Sequence, residues 1–363
     1  MVVGIVGAGQ LGRMMALAGI PMGLRFEFLD SNPQAPAASL GKLHVGSIND
    51  ASALAQLADA VDVMTFEVEN IPADVFSAVA DKTVLAPSAK ALGMAQDRLC
   101  EKKLFHKLQI PTARFAPVDS EQDLQEAADD LGFPCVLKTR RMGYDGRGQV
   151  FLHSDTELSD AWRKLDSNEL LLEEFVDFEQ EMSLIAARNR SGATVFYPLT
   201  TNTHCNGILH TSQAPSGNTE LTAKARHYVH NLLDDLDYCG VLTLELFVTS
   251  AGLLANEIAP RVHNSGHWSI EGAATSQFEN HLRAILDWPL GSTAVTGHSA
   301  MINFLGCLPT PEQSLDIPGL HYHSYDKAAR PSRKIGHATI VAEQPDACEQ
   351  AVQRVLEFYT PAT

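Results

Sequence analysis

Strand and helix signals alternate over the N-terminal third of the chain, and this alternation constrains the fold most. VVGIV (2–6) predicts a buried strand, QLGRMMALAG (10–19) a helix and RFEFLD (25–30) a second strand. Further strands are predicted over 61–66 and 83–87. Strands that alternate with helices form mainly parallel sheets with helices on both faces. The chain therefore begins with a doubly wound α/β domain.

A glycine-rich turn follows the first predicted strand in the pattern Gly7-x-Gly9-x-x-Gly12, and Asp30 ends the next strand. In dinucleotide-binding domains such glycines bring phosphate close to a helix N-terminus, and the acid binds ribose. This pattern favours an NAD-dependent oxidoreductase. The same turn serves other α/β folds that bring a phosphate or ribose to this edge of the sheet, so both interpretations stay open.

Composition excludes several classes of protein. The 363 residues suffice for two or three domains, and the net charge of −17 argues against a nucleic-acid or acidic-membrane partner. The six cysteines are scattered without a CxxC pair, as in proteins of the reducing cytosol. No uncharged stretch approaches the roughly 18 apolar residues that a membrane span needs. We therefore expect a cytoplasmic protein.

The middle of the chain predicts a phosphate site on a hairpin. Residues 133–152 have the pattern of strand, loop and strand, with Lys138 at the end of the first strand. The loop 143–149 contains three glycines, with Asp145 and Arg147 between them. The backbone N–H groups of such a loop can enclose a polyphosphate, and the loop can close as a lid. An ordinary glycine-rich hairpin turn is the alternative.

A second buried strand runs into Glu173, Glu174, Phe175 and Val176. The backbone at such an apolar strand end can bind an adenine, and a nearby carboxylate can bind the ribose hydroxyls. Glu181, which begins the next predicted strand, is a candidate for that carboxylate. This pattern by itself is a weak indication of a nucleotide site.

Two carboxylates lie in a predicted hairpin within residues 243–268. A turn centred on Ala251 puts Glu245 directly opposite Glu257, and like charges at opposed positions destabilise a sheet. A Mg²⁺ ion between them removes the conflict, because carboxylates and substrate phosphates are its usual ligands. An exposed pair at a solvated sheet edge is the alternative. Asn256 should point to the other face, unless the strand has a bulge or Asn256 acts through its main chain.

Five segments of the chain form a recognisable set: GAGQLGRM (7–14), GYDGRGQ (143–149), FYPLTTNTH (196–204), NEIAPRVHNSGHW (256–268) and YDKAARPSRKIGH (325–337). Together they resemble the ATP-grasp superfamily, and within it the N5-carboxyaminoimidazole ribonucleotide synthetases of purine biosynthesis. The resemblance implies an α/β fold, α+β in its ATP-grasp module. The implied domains are a Rossmann-like domain (1–96), an ATP-grasp domain (97–293, with a mobile subdomain at about 110–175) and a small β-rich C-terminal domain (294–363). It also implies that the glycine turn belongs to a ribonucleotide site and that no nicotinamide is bound.

The resemblance further implies a site, residue by residue. The expected ATP ligands are Arg98, Lys138, Gly143, Tyr144, Asp145, Gly146, Arg147, Gly148, Gln149, Glu173, Glu174, Phe175, Val176, Glu181, His204, Asn256 and Glu257. The expected Mg²⁺ ligands are Glu245 and Glu257. The residues expected to bind bicarbonate are Arg261, His263 and Asn264, and those expected at the aminoimidazole are Tyr144, Asp145 and Arg147. The residues expected to bind the substrate phosphate are Lys327, Arg333 and Lys334.

The implied reaction is the carboxylation of aminoimidazole ribonucleotide by bicarbonate and ATP through carboxyphosphate. Asp145 is the expected base for the proton of the attacking amine, and an ordinary turn residue is the alternative for it. A homodimer is expected from the resemblance alone. An NAD-dependent oxidoreductase, a different ATP-grasp carboxylate–amine ligase and a nucleotide-binding protein without turnover are the alternative functions.

Two residues depart from the family pattern, which has two adjacent glycines before the tyrosine and RPGRK near the C-terminus. Met142 stands at the first of these glycines and Ser332 at the glycine of RPGRK. Neither side chain has an assigned role. A serine would restrict a turn in which glycine is free to adopt positive φ.

Overall fold

The structure is a computed structural model that describes residues 1–143 and 146–362. Its N-terminal part has the strands β1 Val2–Val6, β2 Arg25–Asp30, β3 Lys42–Val45, β4 Val63–Phe66 and β5 Val84–Leu85 and the helices α1 Gln10–Gly19, α2 Ala51–Ala58, α3 Ala73–Ser77 and α4 Ala89–Ala95. The strands form a parallel sheet in the order β3-β2-β1-β4-β5. The predicted doubly wound domain is confirmed. The sequence pattern did not predict β3, which is short and partly exposed.

Helix α5, Arg98–Lys107, leads into a smaller antiparallel sheet. This sheet has the strands β6 Phe115–Val118, β7 Cys135–Thr139, β8 Gln149–Leu152 and β9 Leu170–Glu174. Helix α6 Glu121–Leu131 connects β6 to β7, and helix α7 Leu158–Leu165 connects β8 to β9. The carboxylate of Asp97 caps α5 and pairs with Arg140, just beyond β7. The predicted strand, loop and strand of residues 133–152 are confirmed as β7 and β8. The sheet occupies the range predicted for the mobile subdomain.

A larger antiparallel sheet carries most of the predicted site. Its first strands are β10 Gln180–Arg188, β11 Thr194–Phe196, β12 Thr200–Cys205, β13 Ile208–Ala214, β14 Gly240–Thr249 and β15 Gly252–Ala259, and its helices are α8 Thr219–Asp235, α9 Ser269–Gly272 and α10 Gln277–Ile285. Leu242, Leu244 and Leu246 of β14 belong to the buried cluster that also contains the apolar side of α8. Because side chains alternate along a strand, Glu245 points to the opposite face.

The C-terminal strands extend this sheet instead of forming a separate one. They are β16 His298–Leu305, β17 Leu320–Ser324 and β18 Lys334–Ala342, with helices α11 Pro311–Leu315 and α12 Pro345–Phe358. β16 pairs with β13, which gives the order β15-β14-β10-β12-β13-β16-β18-β17, and β11 pairs with β10. The domain boundaries at 96 and 293 stay predictions. The backbone hydrogen bonds between β13 and β16 cross the second boundary. Within residues 1–143 and 146–362, no helix combines the length and apolar character needed to cross a membrane.

Both departures from the family pattern lie at positive φ. Met142 has a φ of 64° and Ser332 a φ of 62°. This left-handed conformation costs an L-residue about 1–2 kcal/mol, whereas glycine adopts it freely. The turn at Ser332 therefore needs the conformation that the glycine of the family pattern led us to expect.

Ser332→Gly should raise the free energy of unfolding by up to about 1 kcal/mol, because relief of the left-handed strain exceeds the extra entropy of glycine in the unfolded chain. Urea unfolding measures the change. Ala329→Gly is the matched control, since Ala329 is exposed in the same loop and its φ is not positive. The control should be destabilised, and an equal loss in both variants would contradict the prediction.

Candidate active site

A β-bulge in the hairpin of β14 and β15 places the two predicted metal ligands. The register shifts between Leu244 and Leu246, so that Glu245 faces both Asn256 and Glu257. The prediction that Glu245 lies directly opposite Glu257 is wrong in this detail, because the bulge adds one residue to β15. Of the two possibilities for Asn256, a bulge or a main-chain contact, the structure shows the bulge and also a contact of its carbonyl with Lys102.

Each of the two carboxylates has a cationic or imidazole partner. Arg98 Nη1 lies 2.8 Å from Oε2 of Glu257, and His263 Nε2 lies 3.0 Å from Oε1 of Glu245. Burial raises the pKa of Glu245, but the neighbouring His263 outweighs burial and holds this pKa below its ordinary value. Each contact uses one oxygen, and the second oxygen of each carboxylate is a hard donor of the kind that Mg²⁺ prefers.

Two carboxylates alone make an incomplete metal site. In the described part of the chain, no three His, Cys, Asp or Glu side chains are grouped so that they could hold a metal ion. Mg²⁺ is usually held by one or two carboxylates together with substrate phosphates. The donor set of Glu245 and Glu257 therefore fits a Mg²⁺ ion that arrives with a nucleotide.

A chain of hydrogen bonds crosses the central sheet and ends at His263. It runs from Ser212 Oγ to Asn202 Oδ1 (2.8 Å), from Asn202 Nδ2 to Ser183 Oγ (3.0 Å), from Ser183 Oγ to Ser265 Oγ (2.8 Å) and from Ser265 Oγ to His263 Nδ1 (2.8 Å). The four residues before His263 are buried. Because each hydroxyl has one proton to donate, this direction makes Nδ1 the acceptor. The proton of the neutral imidazole then lies on Nε2, which faces the carboxylate of β14.

The loop after β15 is fixed through its backbone. The buried side chain of Gln277 accepts the N–H of His263 at 2.9 Å and donates to its carbonyl at 2.6 Å. Arg261 Nε lies 2.8 Å from Oε1 of Glu69, an ion pair without the alignment of a hydrogen bond. Burial raises the pKa of Glu69 despite this arginine. The loop thus holds Arg261 and His263 close to the carboxylates of the bulge.

Asn264 is engaged within the protein. Its amide donates to Oδ1 of the buried Asn303 on β16 at 2.9 Å and accepts from Nδ2 of Asn303 at 2.6 Å. The predicted contact between Asn264 and bicarbonate stays a prediction. Through these two bonds the side chain of Asn264 ties the loop to the C-terminal strands.

A buried cluster of charges surrounds the predicted phosphate lysine. Lys138 Nζ lies 3.0 Å and Lys102 Nζ 3.5 Å from Oε2 of Glu173. Burial raises the pKa of Glu173, but the two ammonium groups outweigh it and lower this pKa to about 2. Burial also lowers the pKa of Lys138. The strand end that was predicted to bind adenine therefore also carries the counter-charge of Lys138.

Two of the predicted ATP ligands, Glu181 and His204, lie together on neighbouring strands. Glu181 Oε2 and His204 Nδ1 are 2.6 Å apart. Burial lowers the pKa of His204, but Glu181 outweighs it and raises this pKa above its ordinary value. Phe175 and Val176 lie in the connection between the two sheets, and Phe175 is exposed. Glu174 does not join this group through Oε1, which accepts the backbone N–H of the residue before β6.

The glycine loop lies beside Arg98. A Cβ atom on Gly143 would come within 3.4 Å of the Arg98 guanidinium. Gly146 and Gly148 have positive φ angles of 74° and 73°, which other residues would adopt only with strain. Gln149 begins β8. These glycines let the loop turn closely over Arg98, the first residue of α5.

Tyr144 and Asp145 lie outside the described residues. The base role of Asp145 and the contact of Tyr144 with aminoimidazole stay predictions. Arg147, the third residue expected at the aminoimidazole, is exposed in the same loop.

The predicted phosphate residues lie on the loop between β17 and β18 and at the start of β18. Lys327 Nζ contacts Oε1 of Gln10, the first residue of α1. Arg333 donates to the carbonyl of Ala328 at 3.1 Å. Lys334 begins β18, and its charge contributes to the lowered pKa of Glu245 on β14. This basic loop therefore extends from the glycine turn to the acidic bulge.

A carboxylate that the sequence pattern did not reveal occupies the glycine turn. Glu67 directly follows β4, and it accepts the N–H groups of Gly9 and, at 2.6 Å, of Gly12. A Cβ atom on Gly7 would lie 2.5 Å from Cγ of Glu67. A dinucleotide would need these N–H groups for its pyrophosphate. The structure thus argues against the NAD-dependent alternative. The position of Glu67 at the carboxyl edge of the sheet is the signal that could have identified it.

Comparison with protein families gives three adjacent matches. They are a ribonucleotide synthetase preATP-grasp domain at residues 1–96, an ATP-grasp domain at 103–278 and a phosphoribosylaminoimidazole carboxylase C-terminal domain at 299–351. The chain is 51% identical over 340 residues to the N5-carboxyaminoimidazole ribonucleotide synthase of Pseudomonas aeruginosa, with 94% of each chain covered. This chain belongs to the N5-carboxyaminoimidazole ribonucleotide synthase family. The corresponding Vibrio cholerae enzyme is 41% identical over 346 residues, which are 93% of this chain and 90% of the relative.

Solved structures of this family have the same fold. The synthetase from Thermus thermophilus is 47% identical and has a TM-score of 0.95, over 99% of this chain and 98% of the other. The Aspergillus clavatus enzyme in complex with ADP and 5-aminoimidazole ribonucleotide is 29% identical, with a TM-score of 0.91 over 98% of both chains. The expected fold, with a Rossmann-like start and an ATP-grasp module, is confirmed.

Ser265→Ala should lower the turnover number about tenfold, because it removes a hydrogen bond of about 1.4 kcal/mol that orients the His263 ring. Steady-state ADP release measures this change. Ser212→Ala is the matched control, since Ser212 lies at the far end of the same chain and its loss keeps the bond to His263. Equal losses in the two variants would contradict the orienting role of the chain.

Proposed function

We propose that this chain carboxylates 5-aminoimidazole ribonucleotide with bicarbonate and ATP, which yields N5-carboxyaminoimidazole ribonucleotide, ADP and phosphate for purine biosynthesis. The observation that carries the proposal is the convergence of three predicted subsites around the acidic bulge. Arg98 joins the bulge to the glycine loop, His263 joins it to the bicarbonate loop, and Lys334 joins it to the basic loop. The Aspergillus clavatus relative with ADP and 5-aminoimidazole ribonucleotide supports this assignment.

ATP lies, in this proposal, between the β6–β9 sheet and the central sheet. Its phosphates compete with Glu173 for Lys138, whose burial requires a counter-charge of this kind. Glu181 and His204 hold the ribose, and the backbone of residues 174–176 contacts the adenine. Phosphoryl transfer depends on positioning and on neutralised charge, and buried cations supply both.

Glu245 and Glu257 hold Mg²⁺ in this proposal. The ion neutralises the phosphate oxygens and assists transfer of the phosphoryl group when it is bound. Arg98 and His263 hold the two carboxylates in place from the sides.

Bicarbonate is a poor electrophile, and its phosphorylation by ATP gives carboxyphosphate, which carries a good leaving group. Arg261 and His263 orient the bicarbonate oxygen that takes the phosphoryl group. The exocyclic amine then attacks the carboxyl carbon, or CO₂ released from carboxyphosphate, phosphate leaves, and Asp145 takes the amine proton. Closure of the 143–149 loop excludes the water that would hydrolyse the intermediate.

The cellular setting is also part of the proposal. The six cysteines are free thiols in the structure, and this supports a reducing cytosol. A homodimer is proposed on the family resemblance alone. Analytical ultracentrifugation of the purified chain tests it.

ADP release should require both 5-aminoimidazole ribonucleotide and bicarbonate, since the two bind adjoining subsites. A coupled ADP assay with each substrate omitted in turn measures this requirement. Calorimetric titration with NAD should give no binding, because Glu67 occupies the N–H groups of the glycine turn. Activity with an unrelated amine, and none with this pair, would instead support a different carboxylate–amine ligase.

Arg333→Ala should raise KM for the ribonucleotide far more than KM for ATP or bicarbonate. Loss of its charge-assisted hydrogen bonds to the phosphate should cost about 1.5–3 kcal/mol of ribonucleotide binding free energy. Arg261→Ala should lower turnover at every ribonucleotide concentration, because this substrate cannot reposition bicarbonate. Steady-state kinetics with each substrate varied in turn separates the two effects.

Arg330→Ala is the control for the first variant, since Arg330 is exposed in the same loop. It should behave like the wild type. Small and equal effects of Arg333→Ala on all three KM values would remove the phosphate site from the proposal.

A further inference from the structure

One helix, α5, holds all three residues of the bulge segment 256–258. Arg98 pairs with the carboxylate of Glu257 at 2.8 Å. Glu101 accepts the backbone N–H of Ile258 at 2.5 Å. Lys102 donates to the carbonyl of Asn256 at 3.0 Å. Of these three residues of α5, only Arg98 had a role predicted from the sequence. Glu101 and Lys102 are both 1% exposed.

Lys102 also contacts the small β6–β9 sheet at its entry and on β9, the strand that pairs with β6. Its Nζ donates to Thr112 Oγ1 at 3.0 Å, just before β6, and lies 3.5 Å from Glu173 Oε2 on β9. Thr112 in turn donates to the carbonyl of Ala255 at 2.7 Å, and the N–H of Ala255 donates to the carbonyl of Pro111 at 2.7 Å. The entry into the small sheet is therefore fastened to β15 directly beside the bulge.

The ammonium group of Lys102 is suited to this position. A buried charge is costly unless it is paired and hydrogen-bonded. An ammonium has three donors, and the three acceptors around Lys102 are a backbone carbonyl, a hydroxyl and a carboxylate. The three acceptors belong to the bulge, to the entry of the small sheet and to its last strand. No apolar side chain of similar length can join these three parts.

We propose that Lys102 is a positioning residue that couples the placement of the small β6–β9 sheet to the geometry of the Glu257 carboxylate. Movement of the small sheet pulls on Thr112 and Glu173, and through Lys102 it acts on the carbonyl of Asn256 next to that carboxylate. A nucleotide bound against the small sheet thereby sets the metal ligand of the central sheet. The inference rests on the proposed function and adds to it a residue that touches none of the three substrates.

Lys102→Met tests the coupling, because methionine keeps most of the side-chain volume and removes the three donors. Lys103→Met is the matched control, since Lys103 follows directly on α5 and is exposed. Hydrogen exchange of residues 111–118, 170–176 and 253–259 is measured with and without Mg·ADP. The Mg²⁺ concentration for half-maximal rate and the ribonucleotide KM are measured on the same proteins.

In the wild type and in Lys103→Met, Mg·ADP should slow exchange in all three segments. In Lys102→Met, protection of 170–176 should persist, while protection of 253–259 should fall about fivefold, the effect of about one hydrogen bond. The half-maximal Mg²⁺ concentration should rise by a similar factor. The ribonucleotide KM should change less than about twofold, because its subsite is untouched.

Wild-type protection and Mg²⁺ dependence in Lys102→Met would overturn the coupling and leave the proposed function intact. A wild type that does not respond to Mg·ADP would overturn the proposed function, and the coupling with it. If Lys102→Met does not fold, as judged by circular dichroism, Thr112→Val replaces it, since this change removes the hydrogen bonds of the Thr112 hydroxyl with Lys102 and with Ala255 at nearly constant shape. The same changes at smaller size are then expected, and their absence overturns the coupling.

Discussion

The bulge in β15 is the constraint on which the site depends. Side chains in a regular strand alternate between faces, so Asn256 and Glu257 could not both serve one cleft without an extra residue in the ladder. With the bulge, the carbonyl of Asn256 reaches Lys102 and the carboxylate of Glu257 reaches Arg98. The helix that precedes the small sheet and the hairpin that carries the acids therefore determine each other's position.

The charges around this bulge favour a polyphosphate ligand. Arg98, Lys102 and Lys138 face the carboxylates of Glu173 and Glu257. Burial and then the charge of Glu257 raise the pKa of Glu101, the residue before Lys102, to about 8. The three cations outnumber the two carboxylates with which they pair. Buried excess charge is costly, and a phosphate anion relieves it. The same charges that hold the bulge therefore also attract the nucleotide.

Local patterns in the sequence predicted local structure well, and contacts between distant segments less well. The bounds of α1 and β2 match the predicted ones to the residue, because hydrophobic period and turn residues are local signals. The hairpin was predicted, but its register was not, since the bulge depends on α5, which lies far away in sequence. Glu67 and Lys102 were missed for a related reason. Glu67 follows a predicted strand at the carboxyl edge of the sheet, but its bonds to the glycine turn join segments far apart in sequence. Nothing near Lys102 in sequence shows that this lysine is buried.

The glycine turn shows how one local motif can serve two opposite electrostatic purposes. In a dinucleotide site the N–H groups at a helix N-terminus attract pyrophosphate. Here the carboxyl group of Glu67 accepts them, so they are not available to a phosphate. A ribonucleotide that lies across the turn must then direct its phosphate elsewhere, and Lys327 reaches the same end of α1 from the basic loop. In the proposed function, the acid at the turn and the cations beside it orient the substrate, with its phosphate toward the basic loop and its amine toward His263. The dinucleotide motif of the sequence was therefore real as a turn and misleading as a dinucleotide site.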